Sequence, residues 1–201
     1  MKNIIILLFI FLFLSQKMMG QIDNSLFDEI STEQEVQELL PPSMIFTQRL
    51  LWGEKGLMRT SKIISLNIKN REKELKIRRK MLKTHQIIGF VTFAGMIAQG
   101  ILGGQLYNGK RNLYKTHKTV GNLTSISYFS GAAMSLFAPP PLVNKKDKGL
   151  SSIKAHKYLA SIHFSAMVAT NLLAKSNSKL HKIAAYTAVA SYATAILVFK
   201  F

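Results

Sequence analysis

Four apolar stretches follow one another in the C-terminal half of this chain, at about 84–106, 114–138, 152–174 and 179–200. Each is long enough to cross a bilayer as a helix, which takes about 20 apolar residues at 1.5 Å of rise each. Charges are confined to the ends. The interiors hold small or weakly polar residues, among them Gly95, Gln99, Ser127, Thr170 and Ser191. Small residues let helices approach closely in lipid, and hydroxyls bond across helices. The links are short: Asn108-Gly109, then Pro139-Pro140-Pro141 followed by Lys145, Lys146 and Lys148, then Ser176-Asn177-Ser178. Short links force neighbouring helices antiparallel. The expected fold is therefore all-α, a transmembrane four-helix up-down-up-down bundle over residues 81–201, preceded by short exposed helices.

Residues 1–20 read as an export signal, with Lys2 as the positive start, an apolar run from Ile4 to Leu14, and Gly20 before a cleavage point at Gln21. That run is too short for a span and suits a signal; an uncleaved anchor is the alternative. Residues 21–80 then form an exported polar and basic helical segment. Ser31 with Gln34 resembles a capping box opening a short helix, which Pro41 and Pro42 end. A second helix is expected over about 43–59, where Phe46, Leu50, Leu51, Trp52 and Leu57 mix with basic residues. It suits either a helix lying in the membrane interface or a small soluble element. Residues 62–83 are strongly basic and read as a surface helix running into the first span, touching lipid head groups or facing water.

The net charge of +17 would suggest nucleic acid in a soluble protein. Here the basic residues sit beside apolar segments, where anionic lipid meets them, and no basic stripe is interleaved with aromatic residues. Membrane lipid is the expected partner, and nucleic acid is not. The chain has no Cys, which excludes disulfides, thiolate metal sites, lipoprotein anchors and covalent haem attachment. The spans lack carboxylates, which argues against a di-iron bundle and paired-acid catalysis. His163 and His181 make no zinc-protease motif. Gly100, Gly103 and Gly104 lack the strand and lysine of a phosphate loop, and read as a packing or turn feature.

The five histidines all lie in the apolar segments: His85, His117, His156, His163 and His181. Ionisable groups in membrane helices are costly and tend to be functional. Each segment begins with a histidine, followed four residues later by a residue with little side chain: His85 with Gly89, His117 with Gly121, His156 with Ala160, His181 with Ala185. Residues i and i+4 share a helix face, so a flat macrocycle can lie beside the imidazole that reaches its iron. In the up-down order His85 and His156 share one end of the bundle and His117 and His181 the other, each pair on diagonal helices. That is the geometry of bis-histidine ligation of two haem irons, one near each membrane face.

His85-Gln86-Ile87-Ile88-Gly89 and His117-Lys118-Thr119-Val120-Gly121, with His156 and His181 following, resemble the core of the cytochrome b561 superfamily, to which ferric reductase cores are related. The resemblance covers about 81–200 and implies a bacterial-type member holding two non-covalent haem b groups that passes electrons across or along the membrane. The partner it implies is a redox protein, a small reductant or a ferric acceptor. Lys83, Lys115, Lys154 and Lys182 would pair with haem propionates. The extra flanking helices of eukaryotic members are absent, no electron-donor site carries over, and turnover of a small substrate and homodimerisation stay open. His163 is additional, roughly 10 Å deeper than His156 on the same face. It could replace His156, bond a propionate or another helix, or sit as a satisfied core histidine. The implied location is the inner membrane with residues 21–80 on the non-cytoplasmic side. The positive-inside rule prefers the reverse, and the export signal is given precedence. The alternative function is a non-redox membrane scaffold or assembly protein with interfacial or metal-binding histidines.

Overall fold

In a computed structural model of the protein, residues 39–142 and 151–200 are described, with side chains as far as 198. The export signal, the acidic stretch up to residue 38, and Lys145, Lys146 and Lys148 lie outside the described residues, and so do the expectations placed on them. Among the described residues every regular element is helical.

The helix expected over 43–59 is broken into two, α1 (Phe46–Trp52) and α2 (Leu57–Thr60). The break is made by Gly53 and Gly56. A Cβ on Gly53 would stand 2.6 Å from the Arg49 carbonyl oxygen, and one on Gly56 would stand 2.7 Å from Leu51 backbone atoms. Only a residue without a side chain lets the backbone fold back that closely.

The basic stretch and the first apolar segment form a single helix, α3 (Ile68–Tyr107), of 40 residues. Asn67 caps it by accepting from the Asn70 amide at 2.9 Å. At 1.5 Å per residue it is about 60 Å long, twice the roughly 30 Å of a bilayer core, so its basic half extends past any span. This helix is long and apolar enough to cross a membrane, and only 11% of its apolar window is buried in the fold. The core helix of a soluble protein would be mostly buried. Gly109, at φ 95°, reverses the chain, and one 3-10 turn (Arg111–Leu113) leads into α4 (Tyr114–Leu136). Then follow α5 (Ser152–Leu173), capped by the Ser151 hydroxyl, and α6 (Ser178–Lys200), whose Leu180 amide donates to Asn177 Oδ1 at 2.9 Å.

The four long helices stand where the four apolar segments were read, but among the described residues only α3 reaches membrane-spanning apolar content. The reason is composition. Thr119, Asn122, Thr124, Ser125 and Ser127 dilute α4; Lys154, Lys157 and Asn171 dilute α5; Tyr186, Thr187 and Ser191 dilute α6. Some of those polar groups bond between helices: Ser125, Ser127 and Asn171. Helices α3 and α4 pack along each other, as do α5 and α6, and α3 also meets α6. Thr92 of α3 shares a hydrogen bond with Ser127 of α4 at 2.8 Å. Ser125 of α4 donates to Asn171 of α5 at 2.9 Å, and Tyr192 of α6 donates to the Gly89 carbonyl of α3 at 3.1 Å. The helices thus close a ring in chain order, with α3 diagonal to α5 and α4 diagonal to α6. Met96, Tyr128 and Met167 form the buried centre, with Phe129, Val189 and Tyr192 against it.

The basic half of α3 corrects the expectation of a purely surface helix. Lys69, Lys73, Lys76, Arg79 and Lys80 are exposed, but Arg71 and Glu74 are buried, Glu74 completely. Glu74 sits between Arg59, at 2.5 Å, and Arg71. Arg71 also donates to the carbonyls of Leu39 (2.7 Å), Pro140 (3.3 Å) and Pro141 (3.4 Å), and Arg78 donates to that of Pro139 at 2.7 Å. Burial, and then neighbouring Arg71, push the Arg78 guanidinium below its ordinary pKa. Prolines carry no amide hydrogen, and here their carbonyls take arginine donors instead. Trp52 Nε1 donates to the Phe137 carbonyl at 2.9 Å and Thr47 to that of Leu136 at 2.5 Å. Together these contacts clamp α1, α2 and the start of α3 onto the triple-proline corner as a cap over one end of the helix ring.

Candidate functional site

The four segment-opening histidines come together in two pairs. His85 of α3 faces His156 of α5 with ring centres 6.5 Å apart and planes at 87°. His117 of α4 faces His181 of α6 with centres 6.2 Å apart and planes at 88°. Both pairs cross a diagonal of the ring, the first beneath the cap and the second at the Asn108-Gly109 end.

Backbone carbonyls hold the rings. His85 Nδ1 bonds the Gly131 carbonyl at 2.8 Å, His156 Nδ1 that of Ala195 at 3.3 Å, and His181 Nδ1 that of Thr170 at 2.8 Å. A carbonyl can only accept, so Nδ1 is the donor in each. In a neutral imidazole that leaves the lone pair on Nε2, the state of a metal-ligating histidine. These carbonyls obey a register. Gly131 stands fourteen residues after His117, Ala195 fourteen after His181, and Thr170 fourteen after His156. Each of these three histidines is therefore anchored by the helix beside it, at a point fourteen residues along from that helix's own histidine. The same count fixes the spacing of the two pairs along the bundle at roughly 21 Å.

His117 departs from the rule. Its Nδ1 is buried without a hydrogen-bond partner. Its counterpart carbonyl would be that of Gln99, but Gln99 turns its side-chain amide to donate to the His117 backbone carbonyl at 3.0 Å. The ring lies over Gly103 instead, where an added Cβ would stand 3.1 Å from His117 Cε1.

The spacing of the rings can be tested against a shared metal ion. An imidazole nitrogen binds a metal at about 2.0–2.1 Å and lies roughly 1.1 Å from its own ring centre, so two imidazoles on opposite sides of one ion have centres roughly 6.3 Å apart. Both pairs match. Edge-to-face ring contact also occurs at such distances, but it needs neither the Nδ1 anchors nor their repetition. Among the described residues no three potential ligands gather at one place. Each pair offers two nitrogens, which suits a macrocyclic metal bringing its own equatorial donors and falls short of the three or four protein ligands of zinc.

The small residues four positions on have other neighbours than the sequence suggested. A Cβ on Gly89 would stand 3.4 Å from the Tyr192 hydroxyl, and one on Gly121 would stand 3.3 Å from Gln99 Oε1. Ala160 and Ala185 are half-buried. Of the four lysines read as propionate partners, Lys182 lies over the Tyr107 ring at 3.9 Å, and Lys83 and Lys115 are exposed.

His163 takes no part in either pair. It sits halfway between them, bonded through Nδ1 to the Tyr128 hydroxyl at 2.6 Å and against the Tyr192 ring at 4.9 Å. Of the roles left open for it, a bond to another helix and a satisfied interior histidine both agree with this contact. Tyr128 and Tyr192 were missed in the sequence. The available signal was a tyrosine in an apolar interior, whose hydroxyl must find a partner when buried. Comparison with protein-family models, with curated proteins and with solved structures found no match for this chain.

Proposed function

We propose that the protein is a membrane-embedded electron carrier in which all four long helices cross the bilayer and hold two non-covalent haem b groups, one between His85 and His156 and one between His117 and His181. The observation that carries this reading is the pair of diagonal histidine contacts, each at the spacing of one shared metal ion and with Nδ1 anchored in three of the four rings.

The membrane placement rests on the distribution of side chains. Phe90, Val91, Ile97 and Ile101 of α3, Leu123 and Ile126 of α4, Ile162 and Leu172 of α5, and Ile183 and Leu197 of α6 are exposed. In water that would be a far larger apolar patch than monomers carry; in lipid it is the ordinary outer face. Ser125, Ser127, Tyr128, His163 and Tyr192 bond across helices inside the bundle, where a membrane helix tolerates polar groups. The exposed lysines of the cap reach the head-group level and attract anionic lipid.

Haem, when bound, supplies an iron that cycles between ferric and ferrous states. The protein's part is to hold and tune it. His85 with His156, and His117 with His181, would hold the iron, one imidazole from each of two helices. The carbonyl anchors fix ring direction and strengthen the ligand nitrogen, as partners behind a metal ligand do. Two sites about 21 Å apart along the axis lie near opposite faces of a bilayer core, so the chain spans the insulating layer with two stations. An external reductant, a redox protein or a ferric complex would complete the circuit.

The test is haem content in detergent-purified variants. His85→Ala and His117→Ala should each lose one of two haems, whereas His163→Ala should keep both. Equal loss from all three, or no change in any, would refute the pairing.

A further inference from the structure

The two histidine pairs are alike in spacing and unlike in support. Beneath the cap, both rings have a carbonyl on Nδ1, His85 at 2.8 Å and His156 at 3.3 Å. At the other end only His181 does, at 2.8 Å, and His117 Nδ1 is buried without a partner. The difference is local to the contacts of His117. At the position whose carbonyl the register would offer, Gln99 donates its side-chain amide to the His117 backbone carbonyl, and the His117 ring lies over Gly103, four residues further on.

A hydrogen bond from Nδ1 to a carbonyl makes the imidazole a stronger donor through Nε2. A stronger axial donor favours the more positive ferric iron, and hydrogen bonding behind the ligand is one of the protein's levers on haem potential. Resting on the di-haem reading above, we propose that the His117/His181 haem has the higher reduction potential of the two, so that electrons run from the capped end towards the Asn108-Gly109 end. His117 is then the residue that sets direction, and Gln99 and Gly103 are the positioning residues that deny it a carbonyl.

The test is a spectroelectrochemical titration of the purified full chain, with haem quantified in the same sample. The intact protein should reduce in two steps separated by at least tenfold in equilibrium constant, about 59 mV for a one-electron couple. His117→Ala should lose the higher step. Because that variant could fail to assemble, Gly103→Ser serves as the second. Its Cβ would meet His117 Cε1 at 3.1 Å, so the ring gives by a few tenths of an ångström and the hydroxyl comes within reach of Nδ1; with haem counted in the same sample, the higher step should move downward and the lower one stay in place. A single unsplit step, or loss of the lower step in His117→Ala, would overturn the inference while leaving the di-haem reading intact. A chain that binds no haem would overturn both.

Discussion

The two ends of the helix ring carry the same ligand geometry on different foundations. The His85/His156 end lies under a cap in which Arg59, Glu74 and Arg71 are buried together and the triple-proline carbonyls receive arginine donors. The His117/His181 end has no such cap among the described residues. It is closed by the Asn108-Gly109 reversal and the Ser176–Ser178 link, and one of its rings lacks an anchor. The lesson is that the diagonal pairing comes from helix order and register, which both ends share. The support around each pair comes from local residues, which they do not. A second contrast runs across the bundle. In the cap, Arg71 and Glu74 are buried and lysines face out; around the waist, Thr92, Thr124, Tyr128 and Ser191 are buried and many aliphatic side chains face out.

The largest expected effects break the likeness of the two ends. His85→Ala and His117→Ala should each reduce bound haem to about half, checked by pyridine haemochrome assay per chain. Equal content in both variants and the parent would remove the symmetry altogether.

Next come changes in the cap and at the bundle centre. Glu74→Ala leaves Arg59 and Arg71 buried without a counter-charge, and breaking such a cluster costs about 3–5 kcal/mol. Thermal unfolding in detergent should show the loss, and the haem of the His85/His156 end should be released first on heating. Simultaneous release from both ends would mean that the cap does not act locally. Tyr128→Phe leaves His163 without its hydroxyl partner at the centre and should cost about 1–3 kcal/mol, with both haems retained. Trp52→Phe frees the Phe137 carbonyl and should cost about 1 kcal/mol, measured in the same unfolding series. Smallest of all, Lys73→Gln on the exposed face of the cap should change stability by under about 0.5 kcal/mol, while weakening association with anionic vesicles relative to neutral ones.

The long helices could be read from the sequence because their apolar runs are bounded by strong breaks, Asn108-Gly109, Pro139-Pro140-Pro141 and Ser176-Asn177. Short links fix antiparallel order, and antiparallel order fixes which histidines share an end. The meeting of His85 with His156, and of His117 with His181, follows from that arithmetic alone. What the rings are anchored to could not be read, because every residue carries a carbonyl and nothing marks Gly131, Thr170 or Ala195 as acceptors. Arg71 and Glu74 were equally hidden. In a run of alternating lysines and glutamates their types match those of Arg79 and Glu72, and only the arrival of Arg59 and the proline corner makes them interior. The break between α1 and α2 was legible in principle, since two glycines three apart interrupt an otherwise helical pattern. The apolar content of α4, α5 and α6 was overread, because their hydroxyl-rich faces were counted with segments of membrane length.

The central claim is that each chain holds two b-type haems. The most direct measurement is a reduced-minus-oxidised absorption spectrum of the detergent-purified protein, expressed with ample haem supply and quantified per chain. Sharp b-type bands at two haems per chain are the predicted result. A colourless protein under those conditions would contradict the account and leave a membrane scaffold whose paired histidines serve packing alone.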